Sequence, residues 1–191
     1  SSFILTSCSL APFSTNTSGR SYGATKLQAE VGNVNSTYNI KIGLGVTQNF
    51  DAGYVMEFGA IATSALFFKY SFLNNETGPS IAGEFGYGSA DASSFYYIGS
   101  IASIAFDKSF ELFINPRINI VSADENDVEK DKFLGNVKIL KYDITYLQLT
   151  YGFNLWLTKT TGLTLYSIYF KGNDIETASD STFGASFLFN F

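Results

Sequence analysis

The last ten residues of the chain, Thr182-Phe-Gly-Ala-Ser-Phe-Leu-Phe-Asn-Phe191, alternate in polarity up to the terminus. Counting back, one face carries Phe191, Phe189, Phe187, Ala185 and Phe183, and the other carries Asn190, Leu188, Ser186, Gly184 and Thr182. Successive side chains of a strand point to opposite sides. This is therefore a strand with one strongly apolar face and one face that a filled or watery interior tolerates. A half-buried strand ending a soluble β-sandwich reads the same way in isolation, so the remaining residues have to decide.

Upstream segments repeat the pattern, separated by turn chemistry, and no helical periodicity competes with it. In residues 22–33, Leu27, Ala29 and Val31 oppose Lys26, Gln28 and Glu30; in 38–50, Ile40, Ile42, Leu44 and Val46 oppose Lys41, Gly43, Gly45 and Thr47. Residues 54–72 form one long segment with Tyr54, Met56, Phe58, Leu66, Phe68 and Tyr70 together against Glu57, Thr63 and Lys69. Segments 80–89, 95–106, 110–121, 141–157, 162–171 and 182–191 follow. Three of them are irregular. Pro116 removes one ladder hydrogen bond and marks an edge or a bulge. In 141–157 the apolar face changes phase near Tyr146 and Leu147, which calls for a β-bulge or for an outer half standing clear of the bilayer. The faces of 162–171 cannot be assigned, because Tyr166, Ile168 and Phe170 compete with Leu163, Leu165 and Tyr169.

The longest apolar stretch, 58–68, is too short for a spanning helix, so a membrane location requires a closed barrel, which leaves no unpaired strand edge in lipid. The terminal pattern, through Thr182, Gly184, Phe187, Phe189 and Phe191, resembles the closing strand of Gram-negative outer-membrane β-barrel proteins, the small OmpA/OmpX-like class. In that family the last strand ends in an aromatic residue that is read by the assembly machinery. The resemblance thus implies an assembly signal at Gly184, Phe187, Phe189 and Phe191 and a bacterial outer-membrane location. The implied partners are outer-membrane lipid, lipopolysaccharide and the barrel assembly machinery, with room for a protein partner at the loops.

The expected fold is all-β, a closed antiparallel transmembrane barrel forming one domain over residues 1–191. Nine segments are counted, whereas bacterial single-chain barrels use an even number. Two completions are open. Residues 3–10 supply a tenth strand with 12–21 as its loop, or eight strands begin at Tyr38 and the first 37 residues form a plug, arm or tail. The segments favour ten. With Phe191 on the periplasmic side, the connections near Asp91, at 122–136 and at 173–181 fall outside, and the short turns at Asn74, Asp107 and Thr158 fall inside, matching long outer loops and short inner turns. Phe106, Phe110 and Trp156 lie beside those short turns, where an aromatic girdle belongs.

The face opposite the apolar one collects Lys26, Lys41, Lys69, Arg117 and Lys141 with Glu30, Glu57, Glu84, Glu111 and Asp143. Charges in a narrow interior need partners, so interleaved ion pairs that fill the lumen are expected. A polar conduit for small solutes is the competing reading, but balanced charge creates no selectivity field. Gly43, Gly45, Gly86 and Gly88 fall on the same face and leave interior volume or let strands curve.

Several chemistries are excluded by inventory. The chain has no histidine, which removes Ser-His-Asp and Cys-His catalysis and histidine metal sites. No catalytic, cofactor or metal residues are assigned, and the protein is read as a non-enzyme. A net charge of −5 leaves no electrostatic footprint for nucleic acid. The acidic run Asp124, Glu125, Asp127, Glu129 and Asp131 lacks calcium-loop spacing and reads as a solvated loop. Cys8 is the only cysteine, so no disulfide forms within the chain; Leu5-Thr6-Ser7-Cys8 looks like a lipoprotein box without its basic leader. The leading function is a structural or recognition barrel that presents acidic loops. A small-solute channel and a soluble barrel binding an apolar ligand are the alternatives.

Overall fold

The computed structural model describes residues 11–34, 36–59, 62–90, 93–123, 126–127, 138–139, 142–172 and 181–191. Its strands are β1 (Leu27–Val34), β2 (Thr37–Gly45), β3 (Phe50–Phe58), β4 (Thr63–Leu73), β5 (Gly78–Ala90), β6 (Ser93–Ala105), β7 (Phe110–Ala123), β8 (Asn126–Asp127), β9 (Lys138–Ile139), β10 (Tyr142–Trp156), β11 (Thr161–Gly172) and β12 (Thr182–Asn190). Ten of them close a barrel in the order β1-β12-β11-β10-β7-β6-β5-β4-β3-β2, and β8 pairs with β9 as a separate two-stranded ribbon. Every barrel pairing is antiparallel, and the seam joins β1 to β12 through Gln28↔Asn190 to Val34↔Gly184.

Ten strands are present, but the tenth arises from 54–72, which is a hairpin. Glu57 pairs with Thr63 and Val55 with Ala65, so β3 and β4 both face the lumen with odd-numbered residues. Alternation thus runs through the turn without a change of phase, and apart from Gly59 the turn has no punctuating residue. Residues 3–10 lie outside the described residues, and the barrel closes without them. The eight-stranded count from Tyr38 is overturned by β1. Residues 12–21 are not a loop; they run inside the barrel.

The other irregular segments resolve differently from expectation. The β10–β7 register is unbroken from Tyr142↔Ala123 to Leu155↔Phe110, so there is no bulge at Tyr146. From Ile144 onward the even-numbered residues of β10 face inward, and Ile144 and Tyr146 belong to an apolar cluster inside the barrel's upper end. The inward face of β11 is also even: Gly162, Thr164, Tyr166 and Ile168 are buried. Pro116 lies neither at an edge nor at a bulge. It pairs with Leu149 of β10, while the ladder to β6 keeps its register and skips the residues opposite Ser100 and Ile101. The register shift that does occur is at Ser71/Leu73 between β4 and β5.

The two ends of the barrel differ. One holds the long connections after β7 and β11. The other holds three hairpins built alike, in which one side-chain oxygen caps two amides. Thr47 Oγ1 accepts from the Asn49 and Phe50 amides, Asp107 Oδ1 from Ser109 and Phe110, and Thr158 Oγ1 from Thr160 and Thr161. Around this short-turn end Phe110 lies 5.8 Å from Phe106 and 5.7 Å from Phe153, and Phe50 stacks on Phe68 at 6.3 Å.

Outside, the wall is a belt of exposed Ile, Leu, Val, Phe and Tyr side chains from all ten barrel strands. Phe183, Phe187 and Phe191 are 75%, 54% and 74% exposed, so the terminal apolar face points away from the interior. Inside, glycines let aromatic rings lie flat against the wall. A Cβ on Gly86 would meet Tyr97 at 2.2 Å, one on Gly53 would meet Phe67 at 2.4 Å, and one on Gly184 would meet Tyr166 at 2.5 Å. Each of these glycines pairs directly across its ladder with the aromatic residue that covers it.

Candidate functional site: the lumen and the segment that fills it

Residues 11–22 pass through the lumen as a non-ladder strip, and the wall's polar side chains take the place of a partner strand. Burying a peptide group without a hydrogen bond is costly, so each stretch of this strip must find donors and acceptors in the wall. The Phe13 and Ser14 amides donate to the two Glu57 oxygens at 2.9 and 2.7 Å. Lys41 Nζ donates to the Thr15 carbonyl at 2.7 Å. Asn115 Nδ2 donates to the Asn16 carbonyl at 3.0 Å, and Asn16 Nδ2 donates to Glu84 at 2.8 Å. Asn154 Nδ2 binds the Thr17 carbonyl at 2.8 Å, and Ser18 Oγ binds Glu111 at 2.8 Å. The Gly19 amide donates to Ser103 Oγ and its carbonyl accepts from Ser71 Oγ. Ser21 Oγ and the Tyr22 amide end the series on Asp51.

Arg117 is the largest fully buried side chain of the lumen, and it is held by acceptors, not by a carboxylate. Its guanidinium donates to the Pro12 and Ser14 carbonyls and, at 2.5 Å, to Gln148 Oε1, and lies 4.3 Å from the centre of the Tyr97 ring. A planar, multi-donor fork suits several carbonyls at once. Gln148 in turn donates to the Phe13 carbonyl at 2.9 Å. Three ion pairs are present among the described residues: Lys41–Glu30 at 2.5 Å, Lys69–Asp51 at 3.0 Å and Arg20–Glu111 at 2.7 Å. Lys69 also donates to the Arg20 carbonyl at 2.7 Å and sits 4.3 Å over the Tyr22 ring. Isolated charges in such an interior would be heavily penalised by desolvation, and these contacts offset that cost.

Of the ten charged residues expected to face inward, seven are buried there: Lys41, Lys69, Arg117, Glu30, Glu57, Glu84 and Glu111. Lys26 is exposed, because it precedes β1 where the lumen opens at the short-turn end. Asp143 is exposed as well, because β10 keeps its even face inward and carries no phase change; its contact is Ser122 Oγ. Lys141 lies outside the described residues. Sequence reasoning passed over Asp51, fully buried, and Arg20, which enters with the strip. Asp51 starts a strand and looked like turn chemistry in Asp51-Ala52-Gly53; only its odd number, shared with Glu57 and Lys69, signalled the inward face. Two of the three ion pairs, Lys41–Glu30 and Lys69–Asp51, join one wall strand to another, and the third ties Arg20 of the strip to Glu111. Most wall charges grip the backbone of residues 12–22.

The strip leaves the lumen through a tight turn at residues 23–26. Gly23 has φ of +90°, a conformation that glycine adopts at no steric cost. A Cβ on Gly45 would lie 1.9 Å from the Gly23 carbonyl oxygen, so β2 admits this turn only where it too carries glycine. The Thr25 amide donates to the Gly45 carbonyl at 2.8 Å, and β1 begins directly after. Among the described residues no cluster of three or more metal-ligating side chains exists.

No protein-family model matches the sequence, and neither does any curated protein. Solved structures that are similar include a KdgM porin, at 8% identity and a TM-score of 0.49 over 87% of this chain and 99% of that one. The translocator domain of the autotransporter NalP from Neisseria meningitidis is similar at 11% identity and 0.49, over 87% and 86% of the two chains. Neisserial surface protein A is similar at 14% identity and 0.34, over 87% and 94%. What puts the present chain in a bilayer is its own surface: a closed wall with no free edge, an apolar belt outside, aromatic pairs at the short-turn rim and a polar interior. The chain is a small, closed ten-stranded β-barrel with the surface of a membrane-spanning one.

Proposed function

We propose that this barrel is an anchored structural or recognition protein and not an open pore. The observation that carries this reading is the strip of residues 11–22, which occupies the lumen and is hydrogen-bonded to the wall from Glu57 down to Asp51. A solute path would need this segment displaced, along with contacts to Glu57, Glu84, Glu111, Lys41, Lys69 and Arg117. Displacing it exchanges this whole set of hydrogen bonds and ion pairs for water at once, each worth on the order of 0.5–1.5 kcal/mol net, so an open lumen is a rare state. The partners in this reading are outer-membrane lipid and lipopolysaccharide around the belt, the barrel assembly machinery acting on Gly184, Phe187, Phe189 and Phe191, and a protein at the loops. The inventory without histidine favours a non-catalytic role.

Planar-bilayer recording of the purified full chain tests the proposal. The expected result is insertion without a steady ohmic conductance. A stable open state carried by the unmodified chain overturns it in favour of a channel.

A further inference from the structure

The order of contacts along the strip gives it a direction. In β3, Glu57 near one end takes the amides of Phe13 and Ser14, and Asp51 near the other takes Ser21 and Tyr22. In β7, Arg117, Asn115 and Glu111 meet residues 12–14, 16 and 18–20 in that order. In β10, Gln148 holds Phe13 and Asn154 holds Thr17. Three strands report the same descent, from the end bearing the long connections to the end bearing the short turns. A segment that entered and left by one mouth would reverse this order partway.

The two ends of the strip are fixed as well. Ala11 packs in the buried cluster with Ala90, Phe95, Val121 and Tyr146, all close to the strand ends that lead into the connections after β5, β7 and β9. At the opposite mouth, Arg20 Nη1 donates to the Glu76 carbonyl and the Ser21 amide to Asn74 Oδ1 in the β4–β5 turn, and the Leu27 amide donates to the Phe191 carbonyl. From Ala11 to Tyr22 an extended chain reaches at most about 40 Å, enough to cross an apolar belt of about 25 Å.

We infer that the lumen serves as a conduit for the chain's own N-terminal segment, so that the residues preceding Ala11 are displayed at the outer face of the membrane. This rests on the outer-membrane reading, in which long connections face outward and short turns face the periplasm. The barrel then does two things with one wall. Its outside anchors in lipid, and its inside holds a polypeptide across the membrane by the backbone groups, which is independent of what precedes the strip. The occupant is a polypeptide because the wall offers matched acceptors and donors for peptide N–H and C=O groups at successive depths.

Cys8, the only cysteine, is a native reporter. The full chain is expressed in the outer membrane of a Gram-negative host with an epitope tag ahead of Ser1, and intact cells are exposed to a membrane-impermeant maleimide and to antibody. A second strain carries Cys8→Ser with Lys159→Cys, which places the thiol on an exposed short turn. The expected result is tag recognition on intact cells, with Cys8 labelled there, and labelling of the Lys159→Cys thiol only after permeabilisation. The tag serves if Cys8 is blocked. Tag and short turn reached only together, on either side of the membrane, overturn the threading. A tag hidden on intact cells while the short turn is labelled overturns outer display and reverses the orientation. Protein recovered in the soluble fraction defeats the outer-membrane reading itself, a failure separate from the other two.

Discussion

Neighbouring residues of β7 obey opposite rules. Arg117 points into the lumen and is 1% exposed; Ile118, the next residue, points outward and is 45% exposed. Along the same strand Leu112, Ile114 and Ile120 lie on Ile118's side, and Glu111, Asn115 and Asn119 on Arg117's. The outward residues satisfy a nonspecific demand, that of a hydrocarbon solvent, which any apolar side chain meets. Each inward residue answers one particular atom of the strip or of a neighbouring strand. The outer face should therefore tolerate shape changes and reject charge, and the inner face should do the reverse.

That contrast can be broken in several places. The largest effect is expected from deleting residues 1–22, which empties the interior. The wall then carries Glu30, Asp51, Glu57, Glu84 and Glu111 against Lys41, Lys69 and Arg117. The shortened barrel, refolded in detergent, should conduct in planar bilayers and prefer cations, read from the reversal potential in a salt gradient. A silent or anion-preferring barrel would show that the wall's charges do not set the field. Next comes Arg117→Met, which takes the guanidinium donor from the Pro12 and Ser14 carbonyls, at about 1–3 kcal/mol for each group. Its urea midpoint, followed by the heat-modifiable band on gels, should drop clearly.

Ile118→Arg places a charge near the middle of the lipid belt and should cost roughly 2–4 kcal/mol in the same assay with lipid vesicles. Little change there would mean that this side of the wall does not face hydrocarbon. Gly86→Val forces a side chain into the Tyr97 ring and should cost about 1–3 kcal/mol through overpacking. Ile118→Leu is the smallest step, expected to shift the midpoint by no more than about 0.5 kcal/mol. If it instead matched Arg117→Met, the division of labour between the faces would be lost.

How much of this was legible before the fold was known depends on range. The outward faces of β2 and β12 were read correctly from alternation, since period two is local to a strand. Seven of the buried charges were found the same way. The hairpin between β3 and β4 was missed because its pairing preserves parity, so the periodic signal runs across the turn as if nothing happened. In β10 and β11, inward Tyr146, Tyr166 and Ile168 mimicked lipid-facing residues. They are apolar because they cap the strip's upper end with Ala11 and Phe13, a contact between residues more than a hundred positions apart.

The sequence by itself determined the class of fold and the orientation of most side chains. Alternation, the terminal Phe191 and the need to close every edge in lipid depend only on neighbours along the chain and on the solvent. Tertiary structure alone decided what the lumen contains. Residues 12–21 are rich in Ser, Thr and Asn and look like any surface loop. Their place follows from polar groups of the strip matching carboxylates, amides, hydroxyls, ammonium groups and a guanidinium that seven barrel strands, β2 to β7 and β10, bring to successive depths. That match is made by closure, and no local pattern records it.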